Sequence, residues 1–218
     1  MISYDSLVTN IGTKKLVTLE EFETQYDLVY IDSETTGISV TDTEIIEISA
    51  IEFNAGGGIG REFYTLCCPV NGYIPSDASA INGITNMMVR GKPNYLSDGI
   101  REMLDQFING RRHGGHNYIG FDMEMLRLDP NGIEVFDTML MAREIFGNQR
   151  RVNLASTCSK LKIKFDKKEA HRATYDVLKG IECYVAMNGM NNARNDDLFG
   201  IQTETVCTVP FKMEDDLY

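Results

Sequence analysis

No stretch of this 218-residue chain approaches the run of about 18 apolar residues that a bilayer-crossing helix needs, and the N-terminus lacks the basic-then-apolar layout of a secretory signal. A soluble cytoplasmic protein with no membrane partner is the expectation. Cysteine is scarce and poorly spaced for chemistry: there are five, an odd number, with Cys67 and Cys68 adjacent and no C-x-x-C pair. That pattern argues against a disulfide framework and a thiolate zinc site, and reads as free thiols in a reducing compartment. Positive charge is short as well, 21 Lys and Arg against 32 Asp and Glu, for a formal net charge of −11. Taken alone, this deficit argues against a nucleic-acid partner, because phosphate contacts dominate such affinity. The basic residues are concentrated, however. Arg143, Arg150, Arg151, Lys160, Lys162, Lys164, Lys167, Lys168 and Arg172 fall in one stretch against only Glu144, Asp166 and Glu169.

What is present is the balance of one globular domain, 43% hydrophobic and 24% charged, with no internal repeat. Leu28 to Ile31 is a compact apolar run ending in charge, as a central strand buried on both faces reads. Ile45 to Phe53 and Phe63 to Cys68 read as two further strands, joined through Asn54-Ala55-Gly56-Gly57-Gly58-Ile59-Gly60. No Lys-Ser/Thr follows that glycine cluster and no helical pattern opens after it, so it reads as a hairpin connection and not a phosphate loop. Ile100, Met103, Leu104, Phe107 and Ile108 share one helical face, with Ser97 as cap and Gly110 as stop. From His113 onward, short β-prone pieces near His116 and over Ile133 to Phe136 alternate with helices. These begin at about Phe121, run over Met139 to Ile145 and Leu154 to Leu161, and end in a long helix carrying Val177, Ile181, Tyr184 and Val185.

The expected fold is therefore α/β, with a mixed central sheet of about five strands, the first three antiparallel, flanked by helices. Residues 26–189 form the main domain. Residues 1–25 are an extension with a short helix behind the capping box Thr18-Leu19-Glu20-Glu21. Residues 190–218, rich in Asp and Glu, are an acidic extension that stays unordered or docks on a partner.

Asp32 and Glu34 sit two apart at the end of the first strand, so period-2 geometry sends both carboxylates to one side of the sheet. Two anions so close are stable when protonated or when a cation lies between them, and hard oxygen donors suit Mg²⁺ or Mn²⁺. The string Asp32-Ser33-Glu34-Thr35-Thr36-Gly37 specifies five residues in a six-residue window, which chance supplies in about one chain in ten thousand of this length. It resembles the first motif of the DnaQ-like 3′-5′ exonucleases, the class of the proofreading subunit of bacterial replicative polymerases. Two more motifs of that family follow in order. His116-Asn117-Tyr118-Ile119-Gly120-Phe121-Asp122 resembles the second, and His171-Arg172-Ala173-Thr174-Tyr175-Asp176 the third, in its histidine (DEDDh) form. Ile81-Asn82-Gly83-Ile84-Thr85 and Phe136-Asp137-Thr138 look like the family's connecting segments.

The resemblance implies a ribonuclease H-like fold and hydrolysis of phosphodiesters from the 3′ end of single-stranded nucleic acid, with DNA favoured and RNA trimming the alternative. It implies two Mg²⁺ or Mn²⁺ ions on Asp32, Glu34, Asp122 and Asp176, with His171 taking the proton of the attacking water. Thr35, Thr36, Gly37, Asn117, Phe121 and Arg172 would contact substrate. A DNA polymerase or other replication protein is an implied partner. Singly, each residue has a bland reading: Asp122 a first-turn acid favoured by the helix dipole, Asp176 a solvated helical residue, Tyr118 and Phe121 core aromatics and not base-stacking platforms. His113, His116, Glu47 and Asp137 read as structural. A non-catalytic nucleic-acid-binding module is the competing class, and the intact five-residue set speaks against it. One geometric point concerns His171 and Asp176. Residues five apart on a helix stand about 140° out of register, so His171 must precede the helix that carries Asp176.

Overall fold

Strand β2, Leu28–Thr35, organises the molecule because its alternation sorts two apolar layers. Val29 and Ile31 pack on one face of the sheet with Ile48, Ala50, Phe63, Leu104 and Phe107. Leu28 and Tyr30 pack on the other with Ile51, Phe53, Phe136, Val177, Ile181 and Tyr184. Continued to the strand end, that same alternation places Asp32 and Glu34 on the second face. A computed structural model of the chain describes residues 6–11, 26–130, 132–147 and 152–199.

The sheet has six strands in the order β1-β4-β3-β2-β5-β6. Strands β1 (Val8–Asn10), β4 (Ile59–Leu66), β3 (Ile45–Phe53) and β2 pair antiparallel, and β5 (Arg112–Gly115) and β6 (Val135–Asp137) add in parallel beside β2. The mixed sheet matches the expected class, with one strand more than expected. The sixth is β1, inside the stretch read as an N-terminal extension; three residues are too short to show periodicity. The glycine cluster is a hairpin turn, with Asn54 and Gly58 joined backbone to backbone at 3.0 Å.

Helices α1 (Ser76–Asn82), α2 (Asn86–Val89) and α3 (Ile100–Ile108) precede β5, and α4 (Asp122–Met125) lies between β5 and β6. Helices α5 (Thr138–Phe146), α6 (Leu154–Lys160) and α7 (Ala173–Phe199) complete the chain order. Ser97 does not cap α3: the helix starts after Gly99, in the left-handed region at φ 77, with no side-chain cap. The Oδ1 of Asn94 takes the N–H groups of Leu96 and Ser97 and the Ser97 hydroxyl, a local turn that competes with capping. Helix α7 runs to Phe199, past Met190 where its apolar periodicity fades. The Thr18 capping box and the chain beyond Phe199 lie outside the described residues.

Helix α7 is held down by aromatic packing, with Tyr184 at 4.7 Å from Phe136 and 5.2 Å from Phe53 between ring centroids. Such pairs contribute about 0.5–1.5 kcal/mol each beyond the area they bury. Close approach also needs Gly180, because a Cβ there would fall inside the edge of the buried Tyr30 ring. Gly180→Ala is expected to overpack this contact by about 1–3 kcal/mol and to lower the melting temperature by about 2–12 °C. Gly189→Ala on the same helix, where an added methyl meets nothing, should leave it unchanged or raise it. Scanning calorimetry of the two variants checks this, and equal melting temperatures would refute the packing argument.

Candidate active site

Three elements bring four carboxylates to the end of β2. Asp32 and Glu34 come from β2 itself. Asp176 descends from the first turn of α7 onto the same face. Asp122, the first residue of α4, arrives from the side of the other apolar layer, where Met125 of the same helix is buried. Its Oδ1 accepts the hydroxyl of Ser33 at 2.6 Å and the Ser33 N–H at 3.1 Å, tying it to the residue between Asp32 and Glu34. One ligand atom each from Glu34, His171 and Asp176 lies within 4.8 Å of the other two.

The loop leading to Asp122 is fixed by Asp137, the cap of α5. Its carboxylate accepts from the N–H groups of Asn117, Ile119, Met139 and Leu140. His116 sits between the Thr138 hydroxyl at 3.1 Å and the Val152 carbonyl at 2.8 Å. Both residues act as loop anchors, in line with their structural reading. His171 precedes α7 in the left-handed region, at φ 63, exposed, as the 140° argument requires. Its backbone N–H donates to Asp176 Oδ2 at 3.1 Å.

The electrostatics are those of anions crowded away from water. Burial is the largest cause for every member. Burial and then the charges of Asp122, Glu34, Asp176 and Glu47 hold the Asp32 carboxyl well above the usual carboxylate range. Burial pushes Glu34 up to about 8, helped by Asp176, Glu47 and Asp122 and opposed by a hydrogen bond with Asn82. Burial lifts Asp122 to about 7 against the two Ser33 donors, and Asp176 to about 6 against its bond from the His171 amide. Among the described residues, Asp176 Oδ1 is buried without a hydrogen-bond partner. An all-oxygen donor set with one imidazole at its rim, excess negative charge and an unpartnered buried oxygen fits hard divalent cations.

The residues expected at the substrate are placed as follows. The Thr35 hydroxyl donates to the Gly37 carbonyl at 2.5 Å, and the Thr36 hydroxyl accepts the Glu44 N–H at 2.9 Å. Gly37 backs onto Thr43, whose methyl would lie 2.6 Å from an added Cβ. These three residues shape the end of β2 and the loop after it. Asn117 is left-handed at φ 66, and Phe121 is half-buried against the first apolar layer. Tyr118 is fully buried, in line with its core reading. The Arg172 guanidinium, expected at phosphate, is paired instead with the buried Glu47 at 2.9 Å. Lys162, Lys164, Lys167 and Lys168 stand exposed on the loop that ends at His171. Asn82 was not anticipated here. It was legible only as part of a connecting segment, and nothing in Ile81-Asn82-Gly83 marks it as a partner for Glu34.

Among the described residues, no helix is long and apolar enough to cross a membrane. The exonuclease family model RNase_T matches residues 29–184, a span that includes all five residues of the site. The chain is 34% identical over 163 residues to DNA polymerase III subunit epsilon of Treponema pallidum (strain Nichols), covering 72% of this chain and 74% of that one. Among solved structures, E. coli exonuclease I in complex with a dT13 oligonucleotide superposes with a TM-score of 0.64 at 19% identity, over 79% of this chain and 43% of that one. Exonuclease X in complex with 5′ overhanging duplex DNA gives 0.57 at 24% identity, over 77% and 93%. These likenesses bear out the ribonuclease H-like fold. With the family model running from the strand that carries Asp32 through the helix that carries Asp176, the chain belongs to the exonuclease family.

Proposed function

We propose that this protein removes nucleoside 5′-monophosphates from the 3′ end of single-stranded DNA, with two Mg²⁺ or Mn²⁺ ions held by Asp32, Glu34, Asp122 and Asp176. The observation that carries this reading is the convergence of those four acids, including the unpartnered buried oxygen of Asp176. When bound, such ions lower the pKa of water and offset the charge growing on the leaving 3′ oxygen. The protein's own contribution is to hold the acids in place before substrate arrives. Ser33 orients Asp122, Asn82 steadies Glu34, and the His171 amide steadies Asp176. The His171 imidazole, exposed on its loop, takes the proton of the attacking water. The lysines of residues 162–168 guide the substrate backbone toward the site. Relatives that are polymerase III epsilon subunits support a polymerase as partner, and an exonuclease I solved with a DNA single strand supports DNA as substrate.

The test is a 5′-labelled single strand, which should shorten stepwise in Mg²⁺ or Mn²⁺ and stay intact in millimolar chelator. Undiminished shortening in chelator would contradict the scheme, and faster turnover of the matched RNA strand would move the substrate to RNA. His171→Ala is expected to cut turnover by about 10²–10⁴-fold and leave Mn²⁺ affinity largely intact. Its closeness to Glu34 and Asp176 supports a second reading as a ligand. Calorimetric titration separates the two, since loss of a Mn²⁺ site in this variant would favour ligation.

A further inference from the structure

Glu47 is a fifth carboxylate beside the site, and its oxygens are already occupied. Oε1 accepts the Tyr64 hydroxyl at 2.6 Å and Arg172 Nη2 at 2.9 Å, and Oε2 accepts the Ala173 N–H at 3.0 Å. It is fully buried on β3, directly across from Glu34 in the strand register. A buried carboxylate facing another carboxylate is costly unless fully paired. Two of its three partners, Arg172 and Ala173, are the residues that follow His171. The fastening continues at the next residue: the Thr174 hydroxyl donates to Glu62 Oε1 at 2.6 Å, which also accepts the Ser49 hydroxyl at 2.8 Å. Upstream, the Asp166 N–H donates to the Tyr175 hydroxyl at 2.5 Å. Between these anchors His171 is exposed, in a left-handed conformation. Strands β3 and β4 thus present a polar patch, Glu47, Ser49, Glu62 and Tyr64, beneath the start of α7 and beside Asp32 and Glu34 on the same sheet face.

We infer that Glu47 is a positioning residue for His171: through Arg172 and Ala173 it fixes the backbone from which the imidazole reaches the reacting water. This rests on His171 being the proton acceptor. Glu47→Gln keeps the shape and removes the charge. It should lower kcat by about 10–100-fold, the usual effect of losing an outer-shell partner, with KM for single-stranded DNA within about twofold. In a His171→Ala background the same change should cost nothing further, because both act through one group. In the metal-free protein, exchange of the Ala173 amide should quicken by at least about tenfold while Mn²⁺ affinity measured by calorimetry stays within about threefold. Arg172→Gln, which leaves the Glu47 to Ala173 bond, should give a smaller loss with the same background dependence, and serves if Glu47→Gln does not fold. Losses that multiply in the His171→Ala background, unchanged Ala173 exchange, or Mn²⁺ affinity falling in step with kcat would each overturn the inference. A fully active His171→Ala enzyme would instead overturn the reading of His171 on which it stands.

Discussion

Asp176→Asn is expected to lower turnover on a DNA 3′ end by about 10³-fold or more, and yet to leave the metal-free protein at pH 8 as stable as the wild type or more so. The first half follows from charge. Several kcal/mol of transition-state stabilisation would depend on the cations that Asp176 is proposed to help hold, and about 4 kcal/mol is a thousandfold in rate. The second half follows from the same acid's cost to the empty fold, where Asp176 is a partly buried anion with one buried oxygen unpartnered. Asparagine keeps an oxygen for the His171 amide and carries no charge. Steady-state kinetics and thermal melts on one preparation check both halves. A variant within tenfold of wild-type turnover would remove Asp176 from the chemistry, and one that melts well below wild type would make its role structural.

Without metal, the protein should melt at lower temperature as pH rises from 5 to 8.5, and Mn²⁺ should cancel most of that fall. Glu34 at about 8, Asp122 at about 7 and Asp176 at about 6, with Asp32 also raised, all sit above the ordinary carboxylate range that the unfolded chain shows. The native state therefore holds more protons than the unfolded chain between about pH 4 and 8, and stability declines as pH climbs through that window. Divalent cations bind the ionised carboxylates, so their stabilising effect grows with pH as the repulsion they relieve grows. Each tenfold change in proton affinity is worth about 1.4 kcal/mol, and in a domain of this size 1 kcal/mol moves the melting temperature by about 2–4 °C. A drop of at least about 4 °C is expected, and Glu34→Gln should remove part of it. A metal-free melting temperature flat from pH 5 to 8.5 would show that the acids are not crowded as described.

Much of this site could be read before any fold was known, because its residues carry their geometry in their spacing. The two-residue step from Asp32 to Glu34 fixed a shared face, and the five-residue step from His171 to Asp176 forced the histidine off the helix. What could not be read were contacts joining residues far apart in the chain. Glu47 lies 125 positions from Arg172, and only the strand register brings it under α7. Arg172 looked like a phosphate contact because it neighbours His171, whereas its charge neutralises that buried acid. Asn82, at the C-terminal end of α1, lies 48 positions from Glu34 in the chain, and no local spacing links the two. Strand β1 was hidden by its length, and the start of α3 by the Asn94 turn, which took the donors and hydroxyl of the expected cap.

The central claim is that four acids from three elements enclose a pair of divalent cations. Anomalous diffraction from crystals soaked in Mn²⁺ tests it most directly. Two peaks are predicted, both in contact with Asp32, with Glu34 and Asp176 at one and Asp122 toward the other. Manganese bound elsewhere on the protein, with these four carboxylates unliganded, would contradict it.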